Sequence, residues 1–408
     1  MNVMKILFVS SIIPEAYLTY FKSYSKVGVG GASDVFQKAV LQGLVENDAN
    51  FDIISYPTLG CFPHNYKKIF TPQGVFEVAN GKKGKLRRYC TILGIKEKSL
   101  QWRAKRDIGK WLKANNAAEE PVAVLTYNFD TPAMWALMRL KKHYPKMVVA
   151  TIVTDLVDDF FNPIYKIGRI KAIQLRAQEK IVRQSYKIVD KFILLSKPME
   201  EKIPQAVGKS IVVEGISHKD DYTFIPKNEC KIKTLLYTGS LGDQTSVKEL
   251  VDGFLLTVNP DFRLVICGDG KYAPYIRQKT IEDNRIIFKG FVARDEAVRL
   301  QQEATAVINP RKPTIDLTRY SFPSKTIEYL SSGTPMIGFK LNGIPDEYFN
   351  YMYTVDGLAD SDMAQTITAV LEKPQNELNK KAENAMLFVA ENKNSKVQIA
   401  RILDFIAK

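Results

Sequence analysis

The sequence predicts an α/β protein with two doubly wound parallel sheets, each covered by helices. Short apolar runs of strand length alternate with amphipathic segments of helix length along nearly the whole chain, as in successive β-α-β units. The 408 residues exceed the size at which a single core stops growing, so two domains are expected. The pattern restarts near Cys230, and we place the domains at 1–200 and 201–396.

In the first domain, the apolar runs and the helical periodicity predict elements in a regular order. Strands are expected at 5–9, 52–56, 122–126, 148–153 and 192–195, and helices at 34–46, 131–143 and 164–190. Apolar residues recur at helical spacing among many cations, which predicts a further, basic amphipathic helix. These residues are Leu100, Ala104, Ile108, Trp111 and Leu112. Residues 59–94 have no clear period and remain unassigned.

The second domain shows the same alternation. Strands are expected at 234–238, 263–267, 285–288, 305–309 and 335–339, and helices at 247–257, 273–281, 296–303, 363–372, 375–390 and 397–407. A short helix should also begin at Pro323, which suits the first helical position. That helix should end before Gly333, which suits the residue just past a helix.

The composition favours a cytoplasmic protein without a membrane span. Four scattered cysteines with no Cys-x-x-Cys pair, and three histidines, argue against a zinc site and favour a reducing compartment. The apolar run 6–13 is interpreted as a buried strand, because it is short and Pro14-Glu15 makes a poor signal-peptide cleavage site. No run reaches the ~18 apolar residues that cross a bilayer.

Positive charge is concentrated in the first half of the chain. Residues 1–200 carry 31 Lys and Arg against 17 Asp and Glu, so they hold the whole net charge of +14. The cations are densest in 67–113, and a second basic run follows the predicted helix 164–190. This distribution indicates an anionic surface such as a cytoplasmic membrane leaflet, with a merely solvated face as the alternative. Nucleic acid is disfavoured because no recognition module accompanies the charge.

The segment from Asn309 to Asp346 carries the clearest functional pattern. Ser324, Lys325 and Glu328 are three to four residues apart and should share one side of the short predicted helix. A helix start with a hydroxyl and a lysine suits phosphate oxygens. A carboxylate one turn further on can accept hydrogen bonds from a diol such as a ribose. The pattern therefore predicts a nucleotide-sugar site.

Residues 321–335, Ser-Phe-Pro-Ser-Lys-Thr-Ile-Glu-Tyr-Leu-Ser-Ser-Gly-Thr-Pro, resemble the donor-binding helix of retaining, GT-B-fold glycosyltransferases of family 4. That resemblance implies two Rossmann-like domains facing each other across a cleft, with the last helix, 397–408, crossing back to the first domain. In the family's Glu-x7-Glu pattern the second Glu holds the ribose, and Glu328 matches it. The first Glu of the pattern contacts the transferred sugar in the family. Tyr320 occupies that position here, so this chain departs from the family in how the sugar would be bound.

The resemblance also implies further site residues. Arg311, Arg319 and Lys325 would neutralise the leaving diphosphate, because Ser240 stands where the family often has an arginine. Asp155 corresponds to a catalytic-site residue at a strand end, with a helix-capping aspartate as the alternative. Loop positions assigned to the donor are Gly30, Gly31, Gly239, Ser240, Gly268, Gly270, Phe291 and Val292. No Asp-x-Asp constellation stands out at a strand end, so neither a metal nor another cofactor is expected.

The implied activity is retaining transfer of a sugar from a nucleoside-diphosphate sugar, with UDP favoured, to a hydroxyl. Family members of this type build exopolysaccharide and capsule, and the basic first domain suits a polyprenyl-linked saccharide acceptor at the inner face of the cell membrane. A sugar-nucleotide 2-epimerase of the same fold and a non-catalytic nucleotide-sugar binding module remain open. Gly28-Val29-Gly30 alone is a weak dinucleotide signal, because no suitably placed acidic residue ends the second strand.

Overall fold

The computed structural model describes residues 4–79, 81–156, 169–217 and 223–408. The chain divides into two compact units, one formed by Met1–Ile216 with Ser395–Lys408 and the other by Ser217–Asn394. Each unit has its own sheet. The predicted class, α/β with two doubly wound domains, is therefore confirmed.

The first unit is built on an eight-stranded sheet. Its strands are β1 (Lys5–Ser10), β2 (Phe51–Ser55), β3 (Gly74–Ala79), β4 (Lys82–Leu86), β5 (Val122–Tyr127), β6 (Val148–Val153), β7 (Lys191–Leu194) and β8 (Ser210–Val212). Their order in the sheet is β3-β4-β2-β1-β5-β6-β7-β8, and every pair except β3 with β4 is parallel. The central strands are apolar and buried on both faces, as expected of a sheet covered by helices.

Helices connect these strands. They are α1 (Glu15–Tyr24), α2 (Ala32–Glu46), α3 (Lys96–Ala114), α4 (Thr131–Leu140), α5 (Arg169–Ser185) and α6 (Met199–Lys202). Asp130 caps α4 by accepting a hydrogen bond from the backbone N–H of Ala133, at 2.9 Å. The long helix predicted at 164–190 ends earlier than expected, because Tyr186–Ile188 forms a 3-10 turn after α5. The predicted residues 164–168 lie outside the described residues.

The unassigned stretch 59–94 contains the β3–β4 hairpin at one edge of the sheet. In β4 the sequence Lys-Lys-Gly-Lys-Leu gives no apolar alternation, although Gly84 and Leu86 are buried. Strand β4 lies between β3 and β2 in the sheet, and its exposed Lys83 and Lys85 alternate with the buried Gly84 and Leu86. Only one of its five residues is a large apolar side chain, so a real strand here lacks the usual apolar signal.

The second unit has a six-stranded, fully parallel sheet. Its strands are β9 (Lys233–Thr238), β10 (Phe262–Cys267), β11 (Ile286–Gly290), β12 (Ala306–Asn309), β13 (Met336–Gly338) and β14 (Tyr353–Thr354), in the order β11-β10-β9-β12-β13-β14. Its helices are α7 (Val247–Leu255), α8 (Ala273–Glu282), α9 (Arg294–Glu303), α10 (Leu317–Tyr320), α11 (Ser324–Leu330), α12 (Asp360–Leu371) and α13 (Gln375–Asn392).

The last helix, α14 (Ser395–Ala407), belongs to the first unit and packs against α2. Its Ile399, Ile402 and Ile406 are buried in the core of that unit. The predicted boundary after residue 200 falls inside the first unit, because β8 pairs with β7 and extends the first sheet beyond it.

Across the described ranges, no helix combines the length and apolar character required to cross a bilayer.

Candidate functional site

The candidate site lies at the carboxyl edge of the second sheet, where neighbouring parallel strands end. The loops after these strands carry most of the predicted donor residues: Gly239 and Ser240 after β9, Gly268 and Gly270 after β10, Phe291 and Val292 after β11, and Arg311 after β12. Open α/β sheets bind ligands at this edge, because the strand order reverses there and the loops diverge.

Glu328 on α11 is held by two donors that reach the same carboxylate oxygen. Lys325 Nζ and Gln301 Nε2 each lie 2.7 Å from Glu328 Oε1. Both donors also reach Thr238 Oγ1, at 3.3 and 3.1 Å respectively. The described part of the chain provides no donor to Glu328 Oε2. One carboxylate oxygen is therefore fixed inside the protein and the other has the capacity to accept hydrogen bonds from a ligand.

Thr238, the last residue of β9, also joins this strand to α11. Its backbone N–H donates to the hydroxyl of Tyr329 at 3.0 Å, and that hydroxyl lies 3.1 Å from the backbone carbonyl of Thr238. Tyr329 is fully buried, and burial raises the pKa of its hydroxyl. These contacts keep α11 in place against the end of β9, and with it the carboxylate of Glu328.

Lys325 forms an ion pair with Glu328, so its ammonium is already engaged in this structure. Side chains at i and i+3 on a helix are neighbours, so an ion pair between these two residues also has a purely structural explanation. The side chain of Lys325 remains one-third exposed, which leaves part of the ammonium accessible. Its predicted contact with phosphate stays a prediction.

Arg311 is a half-buried cation for which the described residues provide neither a hydrogen bond nor an ion pair. Burial lowers the pKa of its guanidinium, and the nearby Tyr237 hydroxyl partly opposes that effect. Tyr237, with which Arg311 interacts electrostatically, donates a hydrogen bond to the backbone carbonyl of Ser240 at 2.7 Å, so Arg311 lies near the loop after β9. An unpaired, desolvated guanidinium is costly, and an anion with planar oxygens such as phosphate would satisfy it.

The glycines of the two central loops allow backbone-to-backbone packing. Gly268 has φ +146°, and a Cβ added there would lie 1.8 Å from the carbonyl oxygen of Gly239. Gly270 has φ +149°, and its Cβ would lie 2.7 Å from the carbonyl oxygen of Leu241. Any side chain would separate the loops after β9 and β10. Their glycines therefore have a structural role, and their contact with a donor stays a prediction.

The segment before α11 holds three more predicted residues. Arg319 and Tyr320 end α10, and the Arg319 guanidinium lies 5.9 Å from the centre of the Tyr320 ring. Ser324 is exposed at the first position of α11. Pro323 was expected at that first position but is the N-cap, with φ −70° and ψ 110°, because its backbone is extended rather than helical. Gly333 has φ +76° in the turn that follows α11.

Phe291, which the sequence assigned to the nucleotide base, is 84% exposed beyond the end of β11. It follows Gly290, whose φ of +67° turns the chain away from the strand. Val292 is half-buried. An aromatic face this accessible is free to stack on a flat ligand, although the structure alone gives it no such role.

In the first unit, Asp155 follows β6 and belongs to a small polar cluster. Its Oδ2 accepts hydrogen bonds from Asn128 Nδ2 at 3.0 Å and from Thr154 Oγ1 at 2.9 Å. Asn128 has φ +53°, and its Oδ1 accepts the backbone N–H of Thr154 at 2.7 Å. Asp155 itself is exposed. The carboxylate is thus oriented by its neighbours and accessible to a ligand, as a base or an orienting group requires.

Gly30 and Gly31 lie in an exposed loop directly before α2, with φ +80° and +130°. The first turns of α2 fix the loop after β1: Asp34 Oδ1 accepts the backbone N–H of Ile13 at 2.7 Å, and Gln37 Oε1 accepts that of Ser11 at 2.9 Å. These buried contacts hold the end of β1 against α2, and the glycines provide the sharp entry into the helix.

Sequence reasoning missed Gln301 and Thr238. Gln301 is the buried residue of α9, at 1% exposure, on a helix whose other described positions are half-buried or exposed. A polar amide on the inner face of an amphipathic helix was the available signal, since a buried amide requires partners. For Thr238 the sequence indicated only that it ends a strand directly before Gly239.

One family model matches most of the second unit. Residues 232–373 match the family model described as glycosyl transferases group 1. The match runs from β9 to the end of α12 and includes every candidate residue of the second unit. Comparison with curated proteins finds no match.

Solved structures share the fold over the whole chain. The apo form of the lipopolysaccharide outer core galactosyltransferase WaaB aligns with TM-score 0.63 and 17% identity over 99% of both chains. The catalytic domain of starch synthase IV from Arabidopsis thaliana, bound to ADP and acarbose, gives 0.62 and 8% over 100% of this chain and 99% of that one. Anabaena HepE, in complex with UDP and glucose, gives 0.58 and 12% over 99% of each. The predicted GT-B fold is thereby confirmed.

Proposed function

We propose that this protein is a glycosyltransferase that takes its sugar from a nucleoside-diphosphate sugar, with UDP the favoured nucleotide. The observation that carries the proposal is Glu328, whose Oε1 is fixed by Lys325 and Gln301 while Oε2 has no described donor. This carboxylate lies in the segment that matches glycosyl transferases group 1. A ribose diol would donate to Oε2. The presence of UDP in the HepE structure supports the choice of nucleotide.

The proposed reaction proceeds with retention at the anomeric carbon. The bond from that carbon to the diphosphate oxygen breaks, and the acceptor oxygen forms its bond on the same face. Negative charge develops on the leaving diphosphate, where Arg311, which has no described partner, would stabilise it. Lys325 and Arg319 would add positive charge. Asp155, oriented by Asn128 and Thr154, would align the acceptor hydroxyl or take its proton.

We further propose that the transfer needs no metal or other cofactor, because cationic side chains supply the charge that a metal would otherwise supply. The acceptor in this proposal is a saccharide on a polyprenyl carrier, used at the cytoplasmic face of the cell membrane for surface polysaccharide. The support is the excess of positive charge in residues 1–200. The first alternative is a sugar-nucleotide 2-epimerase, which would convert the sugar nucleotide without an acceptor. The second is a non-catalytic binding module, in which Tyr320 marks a decayed catalytic site and no sugar nucleotide is converted.

The test is a thermal-shift series with UDP, ADP, GDP, NAD and UDP-sugars on the wild type and on Glu328→Ala. At a hundred times its dissociation constant, the nucleotide that the protein binds should stabilise it by ~2.7 kcal/mol, which is ~3 °C in Tm for a chain of 408 residues. The shift should vanish in Glu328→Ala. It should persist in Glu282→Ala, a matched control, because Glu282 pairs with Lys279 at the same i, i+3 spacing outside the site.

Turnover then separates the three activities. Release of the nucleoside diphosphate only with a saccharide acceptor, unchanged by EDTA, supports the proposal. Conversion of the sugar nucleotide without acceptor identifies the epimerase, and nucleotide binding without turnover identifies the binding module. No shift with any nucleoside diphosphate, or a shift with NAD alone, contradicts the proposed function.

A further inference from the structure

The outer side of α3 combines unpaired cations with a solvent-exposed tryptophan. Trp102 is 70% exposed, the highest exposure among the three tryptophans, since Trp111 donates to Asp52 and Trp135 lies beneath Arg139. Five exposed cations accompany Trp102 on the helix. We call these six residues the α3 surface: Lys98, Trp102, Lys105, Arg106, Lys110 and Lys113.

Helix geometry places all six residues on one face. Successive residues turn by about 100°, so the six positions fall within an arc of about 140° that runs the length of the nineteen-residue helix. The opposite side holds Leu100, Ala104, Ile108 and Leu112, which are buried where α3 packs against α4. The cations and the tryptophan therefore form a continuous outward stripe rather than a scattered set.

The carboxylates of α3 point away from this stripe. Asp107 is buried, pairs with Arg87 at 2.6 Å and accepts a hydrogen bond from the hydroxyl of Tyr56 at 2.9 Å. Glu97 is partly buried, and that burial raises its pKa. Within the described ranges, the five cations of the α3 surface have no ion pair. An outward face with five charges of one sign and no compensation attracts an extended anionic partner.

Apolar side chains continue the stripe at the start of the helix. Leu93 and Ile95, immediately before α3, are 54% and 52% exposed. Nearby, the Arg88 guanidinium lies 4.4 Å from the ring centre of Phe70, which is itself 45% exposed and whose backbone pairs with that of Cys90. Exposed leucine, isoleucine and tryptophan among cations form the composition of a surface that inserts shallowly between lipid headgroups.

We infer that the α3 surface binds the face of an anionic lipid bilayer. The cations would contact lipid phosphates, while Trp102, Leu93 and Ile95 enter the headgroup region, where aromatic rings with a polar edge are favoured. Each cation near such a surface strengthens partitioning about fivefold. A nucleic acid would satisfy the charge but would leave the exposed apolar side chains without a partner. The inference goes beyond the proposed transfer reaction, and nucleotide is not required to test it.

The experiment is sedimentation of the full chain with vesicles of phosphatidylcholine alone or with about 30% phosphatidylglycerol, at about 0.1 M salt. Wild type should bind the anionic vesicles and not the neutral ones. A triple variant, Lys105→Gln with Arg106→Gln and Lys110→Gln, should bind them at least twentyfold more weakly. Trp102→Ser, with all cations retained, should bind about threefold to tenfold more weakly.

The matched control removes the same charge elsewhere in the first unit. Lys22→Gln with Lys142→Gln and Lys396→Gln changes three exposed lysines that are not on α3 and form no described ion pair. This control should bind within about twofold of wild type. Equal loss in both triple variants would show that net charge alone attracts the vesicles, and the inference would be wrong. Circular dichroism checks that each variant is folded.

Tryptophan fluorescence gives a second, local readout. Anionic vesicles should shift the emission of wild type to shorter wavelength, and bromine-labelled lipids should quench it. Both signals should disappear in Trp102→Phe, because the other two tryptophans are outside the α3 surface. No vesicle binding at all, persistence of both signals in Trp102→Phe, or displacement of the vesicles by equimolar duplex DNA would each overturn the inference. Failure of the nucleotide tests would leave it unaffected.

Discussion

At the scale of single residues, the orientation of Glu328 depends on Gln301, a side chain that is almost completely buried. Gln301 donates from one nitrogen to both Glu328 and Thr238, and its backbone carbonyl accepts a 2.6 Å hydrogen bond from Thr334 Oγ1. A neutral amide directs the carboxylate without adding charge. It therefore positions Oε2 for a ribose and leaves the negative charge of Glu328 only partly balanced, by Lys325.

We predict that Gln301→Leu weakens recognition of the ribose in particular. Loss of the amide removes one of the two donors to Oε1 and frees the carboxylate to rotate, so ribose hydroxyls should contribute less. Calorimetry should show wild type preferring the bound nucleoside diphosphate over its 2′,3′-dideoxy analogue by about tenfold or more, the value of roughly one charged hydrogen bond. In Gln301→Leu this ratio should fall to about threefold or less.

The control for this prediction is Thr334→Val, which removes the hydrogen bond to the backbone carbonyl of Gln301 but keeps its amide. The ratio between the two nucleotides should then stay near that of wild type, even if the protein is less stable. A ratio that is undiminished in Gln301→Leu would mean that Gln301 serves packing alone.

How far the sequence predicts the site differs from residue to residue. Glu328 and Lys325 were predicted because they lie three residues apart on one helix, so their proximity is local. Gln301 and Thr238 come from α9 and β9, and only the fold brings them within 3.1 Å of each other. The two residues are 63 positions apart, so no local spacing in the sequence indicates their hydrogen bond. Arg311 was predicted as a cation, but its lack of a described partner appears only in the structure.

At the scale of elements, strands buried along most of their length were predicted accurately, and several partly buried elements were missed. Strand β6 occupies the predicted residues, because Val-Val-Ala-Thr-Ile-Val is buried along nearly its whole length. The β3–β4 hairpin was missed, since lysines alternate with its few buried residues. Helix α1 was missed as well: it follows Pro14, buries only Phe21 and shows little periodicity. Burial on both faces leaves a strong sequence pattern, and partial burial leaves a weak one.

The packing of α14 on α2 depends on Gly43. A Cβ at Gly43 would lie 2.3 Å from Ile399 Cγ1 and 2.4 Å from the backbone carbonyl oxygen of Ser395. The second of these contacts is with backbone and cannot be relieved by a rotamer change. The glycine therefore permits the close approach of the last helix to the first unit.

We predict that Gly43→Ala lowers the free energy of unfolding by ~1–3 kcal/mol, as overpacking does, despite the better helix propensity of alanine. Gly109→Ala is the matched control, because Gly109 is also within a helix and its Cβ would meet only Leu140 Cδ2 at 3.4 Å. That variant should be neutral or up to ~1 kcal/mol more stable. Urea unfolding of both variants measures the difference, and equal effects would contradict the packing argument.

At the scale of the whole molecule, charge and chemistry are divided between the two units. The excess of cations belongs to residues 1–200 and includes the α3 surface, whereas the remaining residues carry balanced charge. The residues proposed to bind the nucleotide lie mainly in the second unit, within the segment 232–373. The division of charge could be predicted from the sequence, because counting charges needs no tertiary information. The residue at which the first unit ends could not be predicted, since it depends on the pairing of β8 with β7.

The second unit is one continuous stretch of chain with its own six-stranded sheet, whereas the first is completed by α14 from the far end of the sequence. We therefore predict that residues 217–394, expressed alone, fold cooperatively and bind the same nucleoside diphosphate as the full chain. The network of Glu328, Lys325, Gln301 and Thr238 lies wholly within this stretch, so the dissociation constant should stay within about tenfold, or ~1.4 kcal/mol.

Thermal unfolding followed by circular dichroism, and calorimetry with the nucleotide, measure both parts of this prediction. Glu328→Ala in the shortened chain should abolish binding, as in the full chain. If the segment unfolds cooperatively but binds more than a hundredfold more weakly, residues of the first unit are essential for the nucleotide. The loop with Gly30 and Gly31, which the resemblance assigns to the donor, is then the first candidate for the missing contact. Its backbone is exposed, and its positive φ angles favour glycine.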